Sequence, residues 1–157
     1  MRYVSLEDYA RGWIFRHHEL PVPAEDLALI RPLAEPVANQ IWSEWVSKEN
    51  LHPEDLGQGD WAGQGNSWSE PERWQERWES EKTEMPEAIL EHLQWEDNTV
   101  VFFCYEADHV IETTWAVFRR HWKNFLFFDN GPMLMGRKRK QVVQFNETGN
   151  FRLAERP

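Results

Sequence analysis

The chain has one cysteine, no long apolar run and no motif that announces a catalytic centre. Each absence closes off a class of protein. A lone Cys104 permits no internal disulfide. The opening "MRYVSLEDYARGWIF" lacks a basic segment followed by an apolar run, so no signal peptide is expected. Together these point to a reducing cytoplasm. The most apolar runs, "VVFFC" (Val100 to Cys104) and "FLFF" (Phe125 to Phe128), are far too short to cross a membrane.

Catalytic signatures are missing in the same way. No serine sits in a Gly-x-Ser-x-Gly elbow, and "GQGDWAGQG" lacks the lysine and preceding strand of a phosphate loop. The six histidines, at 17, 18, 52, 92, 109 and 121, include no i, i+4 pair with an intervening Glu, so scattered surface histidines are expected and no metal site. Cys104, between Phe103 and Tyr105, reads as a core thiol rather than a nucleophile. Neither a cofactor nor a catalytic residue is indicated.

Aliphatic residues are absent from one long stretch. Between Gly57 and Glu84 the only aliphatic side chain is Ala62, yet Trp61, Trp68, Trp74 and Trp78 all fall there. Indoles bury enough area to fasten a polar segment without aliphatic help. Clamping is the expectation for Trp74 and Trp78. Trp61 and Trp68 lie in a Gly-rich loop, where an exposed indole serves as an interface hot spot or a sugar platform.

What the chain does have is acid and tryptophan. The 157 residues, enough for one domain with a real core, carry a net charge of −10 and ten Trp. The charge is uneven: residues 1–97 sum to −13 and residues 98–157 to +3. That dipole steers a basic partner onto the acidic side and disfavours nucleic acid or an anionic membrane. The dense basic run "GRKRK" holds Arg137, Lys138, Arg139 and Lys140, and with Arg119, Arg120 and Lys123 it forms a candidate basic face. A solvated turn at a strand edge accounts for the same run.

Periodicity divides the chain at residue 97 into a helix-rich part (1–97) and a strand-rich part (98–157) of a single domain. Ser5, Pro23 and Pro36 open short helices. "EPVANQIWSEWVSKE" carries Val37, Ile41, Trp42, Trp45 and Val46 at helical spacing. Ser69-Glu70-Pro71-Glu72 reads as a capping box, and Pro86 to Leu93 as a further short helix. In the second part, "NTVVFFCYEADHVIETTW" reads as two strands about a turn at Glu106 to Asp108. "TTWAVFRRHWKNF" is a helix with Trp115, Phe118, Trp122 and Phe125 inward. Hairpins are expected at Asp129-Asn130-Gly131 and at Glu147 to Gly149. The resulting expectation is an α+β fold: a helical N-terminal half packed on a C-terminal antiparallel β-meander, with one inserted Trp-rich helix.

At "ETTWAVFRRHWKNFLFFDNGP", "LEDYARGWIFRHHELP" and "KRKQVVQF" the chain resembles an uncharacterised bacterial domain-of-unknown-function family of similar length. That resemblance runs over most of the chain and implies no catalytic residue. The C-terminal half is also loosely similar to cell-wall-assembly-regulator-like domains, many of which are immunity proteins against toxins. The functional expectation is a non-enzymatic binding protein that occupies the surface of a protein partner. The alternative is an enzyme or small-ligand domain with a pocket between the helices and the sheet, using Trp115, Arg119 and acidic residues that no motif marks out.

Overall fold

The computed structural model describes all residues, 1–157. Seven antiparallel strands form one sheet: β1 (Arg31–Pro32), β2 (Glu72–Arg73), β3 (Val100–Glu106), β4 (His109–Thr114), β5 (Met133–Gly136), β6 (Gln141–Phe145) and β7 (Asn150–Glu155). Their order across the sheet is β1-β4-β3-β5-β6-β7-β2. Two hairpins, β3–β4 and β6–β7, turn where the sequence indicated.

The expected meander is therefore overturned. The strands come from across the chain, and both edges of the sheet are supplied by two-residue strands from the first half, β1 and β2. Bridges from Tyr3 to Leu33 and from Trp68 to Ala154 continue those edges. The capping-box helix at Ser69 does not form. Ser69 pairs with Leu153 instead, donating its N–H to the Leu153 carbonyl at 2.8 Å and accepting the Leu153 N–H on Oγ at 2.9 Å. A helix, α3 (Gln75–Glu79), begins only after β2. Nor is "FLFF" a strand, because α5 (Trp115–Phe125) runs into it and the backbone turns over Leu126 and Phe127. Short polar edge strands have no period to read, and an apolar run beside a helix is ambiguous between the two states.

The remaining helices are α1 (Ala24–Leu27), α2 (Glu35–Trp45) and α4 (Glu87–Leu93). Both faces of the sheet are covered, which is why β3 reads apolar from Val100 to Tyr105 rather than alternating. Val101, Phe103 and Tyr105 join the cluster built on α4, α5 and the N-terminal segment. Phe102 and Cys104 join the cluster built on α2 and the 51–69 loop. The Thr114 hydroxyl caps α5 by accepting the Val117 N–H.

Indole N–H groups tie the irregular segments to this frame. Trp42 donates to Asn50 O, Trp61 to Trp45 O, Trp68 to Ala62 O, Trp74 to Asn146 O, Trp78 to Lys123 O and Trp122 to Thr83 O, all at 2.6–3.2 Å. Loops carry backbone carbonyls that no ladder satisfies. Here each ring buries apolar area and satisfies one of them, so a chain poor in aliphatics still orders its loops.

Candidate functional site

Four segments distant in sequence meet at the turn between β3 and β4. A register shift between Cys104 and Glu106 bulges β3 just before that turn, where Glu106 pairs with His109. The N-terminal 3-10 turn Gly12–Phe15 is held down by Asn124, whose Nδ2 donates to Ile14 O and Leu20 O at 2.9 Å each. That fixes Arg11 and Trp13 beside the bulge. Gly131, at φ +80°, lets the 129–131 turn approach Pro53; a Cβ there would lie 2.6 Å from the Pro53 Cβ. The result is a cleft of about 270 Å³ lined by Arg11, Pro53, Glu54, Tyr105, Glu106, Phe127, Phe128, Asp129 and Asn130.

Its chemistry is carboxylate on aromatic. Arg11 Nη2 donates to Glu106 Oε1 at 2.6 Å, and His52 Nδ1 lies 2.6 Å from Glu106 Oε2. The Arg11 guanidinium also sits over the Phe128 ring at 4.7 Å and the Tyr105 ring at 5.6 Å. Behind this layer, Tyr9 OH stands 3.1 Å from His109 Nδ1, and His109 Nε2 is 3.8 Å from Glu106 Oε1. Burial, then the nearby Arg11 charge, pushes the His109 pKa down. Burial likewise holds the phenols of Tyr9 and Tyr105 protonated.

Asp129 differs from the other acids of the cleft. It has no ion pair, its carboxylate takes only its own backbone N–H, and burial raises its pKa above the ordinary aspartate value. Glu54 accepts from Asn130 Nδ2 at 3.3 Å. Formally the cleft sets three carboxylates against one guanidinium. Trp13, 46% exposed, stands near the cleft with its ring 5.7 Å from those of both Phe127 and Phe128. His17 extends the aromatic surface over Phe127 and stacks on His18.

None of these groups was singled out in the sequence. His52 and His109 are separated by more than fifty residues yet share Glu106, and no spacing rule connects them. Even so, no group of three or more His, Cys, Asp or Glu is placed to hold a metal ion.

The residues the sequence did single out are dispersed. Trp68 is buried, its ring under the Arg152 guanidinium at 4.5 Å. Trp61 is half-buried and stacks on Trp68. Trp115 is sealed in the core against Trp95 and Phe118. Arg119 pairs with Asp97 at 2.8 Å. Arg120 makes two hydrogen bonds to buried Asp26, which also accepts from His121 at 2.6 Å, welding α1 to α5. Lys123 donates to Ser80 O, and burial lowers its pKa. Arg137, Lys138, Arg139 and Lys140 occupy the β5–β6 turn; the first three line a shallow depression of about 180 Å³ with Glu96, Asn98 and Thr99. No helix is long and apolar enough to cross a membrane.

Fold and site together define an α+β domain with a doubly covered antiparallel sheet and an acidic, aromatic-walled cleft at one hairpin. The chain belongs to the family described as "Protein of unknown function (DUF2947)", which it matches over residues 3–154. No curated protein and no solved structure matches it.

Proposed function

We propose that this protein is a non-enzymatic binding protein, a toxin-immunity or regulatory partner, that takes a cationic side chain of a basic protein into the cleft of Arg11, Glu106, Phe128 and Asp129. The observation that carries this reading is Asp129, a partly buried carboxylate that no cation of this chain neutralises. An arginine or lysine entering beside it would supply the missing charge and lie along the aromatic wall. A volume of about 270 Å³ suits one side chain better than a whole metabolite. The net charge of −10 adds long-range steering of a basic partner, and it disfavours nucleic acid.

A short arginine peptide and its citrulline twin test this by calorimetry and Trp fluorescence at low salt. The arginine peptide should bind, the twin should not, and Asp129→Asn should weaken binding about ten- to a hundredfold, the range for a hydrogen bond to a charged group. Equal binding of the twin, or an unaffected variant, would refute the reading.

The enzyme alternative draws on the same cleft. Glu106 is paired to a guanidinium while burial raises Asp129, and carboxylates in contrasting environments are the raw material of acid–base catalysis. Trp115 and Arg119, in contrast, share no pocket.

A further inference from the structure

We propose that a second cavity, between the end of α2 and the Gly-rich loop, is a carbohydrate-binding site with Trp61 as its stacking platform. The slot measures about 540 Å³, twice the hairpin cleft and within the span of small-molecule pockets, roughly 300–1,000 Å³. Two indoles line it, Trp45 and Trp61.

Both rings are held by residues that do not line the slot. Trp61 stacks on Trp68, at 5.6 Å between centroids and 26° between planes. Trp45 lies under the Arg156 guanidinium at 4.3 Å and meets Phe102 edge-on. Trp68, which stacks on Trp61, does not line the slot, so Trp61 is already fixed in position beside it and little ordering cost remains when a ligand arrives. The Trp61 N–H is consumed by Trp45 O at 2.9 Å. What this indole presents to a ligand is a π-face with no hydrogen bond to give, the counterpart of the C–H face of a pyranose ring.

The polar groups around the rings complete the match. Glu44 and Glu49 are exposed carboxylates, acceptors only, and they suit a ligand rich in hydroxyl donors. As exposed charges they hold a cation weakly, which separates this slot from the hairpin cleft. Gly57 and Gly59 also line the slot, and a Cβ built on either meets nothing within 4 Å. Asp60 fixes the loop, accepting from Asn50 Nδ2 at 2.9 Å and from the Gly57 N–H at 3.2 Å. Two indoles, carboxylate acceptors and two glycines are thus brought together around the slot before any ligand is present.

The test uses the whole protein with cellobiose, maltose and N,N′-diacetylchitobiose, each up to about 50 mM, far above the ~1 mM dissociation constant of a weak binder. Calorimetry and indole fluorescence report binding. At least one of these neutral sugars should bind, with little change between low and high salt. Gly59→Leu, at a slot-lining position where an added Cβ meets open space, should abolish binding with little change in melting temperature. Trp61→Leu should weaken it about tenfold, the loss of one stacked contact. Asp129→Asn should leave sugar binding intact, so failure here and failure of the cleft reading are told apart. Absence of binding by all three sugars, or binding that survives Gly59→Leu, overturns the proposal. Binding only of a cation such as methylguanidinium at this slot overturns it as well.

Discussion

Trp122 offers the sharpest test of how the indoles hold the fold. It lies in α5, fully buried, with its N–H on Thr83 O at 2.9 Å across the 80–85 loop. Truncation to Ala removes a large apolar body and leaves a cavity in the buried cluster of which Trp122 is part. Such changes cost about 3–5 kcal/mol. The hydrogen bond adds little to that, because Thr83 is exposed and water replaces the indole at its carbonyl. Trp122→Phe, keeping most of the area and losing the donor, should therefore cost only about 1–2 kcal/mol. For a chain of this size each kcal/mol moves the melting temperature by roughly 2–4 °C, so the Ala variant should melt about 6–20 °C lower. Urea unfolding followed by circular dichroism, with the slope checked for constancy, separates the two variants. A loss below about 1 kcal/mol for Trp122→Ala, or equal losses for Ala and Phe, would refute the reasoning.

Other outcomes follow from the charged and reactive groups. Asp129 has a raised pKa, so its ionisation opposes folding: stability should fall as pH rises from about 3.8 through the raised folded value, and Asp129→Asn should be neutral or stabilising at pH 7 by thermal melting. Asp26 is the opposite case, lowered first by its Arg120 hydrogen bonds; its contribution is present above pH 3.8 and lost as pH falls through the depressed folded value. Asp26→Asn should cost about 2 kcal/mol in urea, less than a fully buried pair because Arg120 is half-exposed and stays hydrated. Cys104, fully buried with its thiol pushed up to about 12, should resist a thiol reagent in the native protein and react at once when unfolded; rapid native labelling would contradict its burial.

The sequence was readable where one local period decides a structure. The α5 stripe of Trp115, Phe118, Trp122 and Phe125 is buried as the spacing requires, and "VVFFC" is a central strand because both of its faces are covered. It was unreadable where the deciding contact is distant. Ser69 and Glu72 fit a helix start, yet Ser69 pairs with Leu153, eighty-four positions away, and that bond outweighs a capping box worth about 1 kcal/mol. The cleft is of the same kind. Arg11 meets Glu106 across a separation of 95, and Tyr9 meets His109 across 100. Nothing local to any of the four marks it.

The stretch without aliphatics shows why composition alone could not divide clamp from platform. Trp74 and Trp78 fasten α3 through Asn146 O and Lys123 O, and Trp68 is pinned through Ala62 O. Trp61 makes the same kind of bond, to Trp45 O, so its hydrogen bond does not set it apart. The difference is geometric: Trp68 is covered by Arg152 as well as by Trp61, whereas Trp61 lines a slot together with Gly57 and Gly59. An indole used as a clamp on one face and left free on the other is rigid without being consumed. A platform needs that combination, and it arises only once the loop has closed over the sheet.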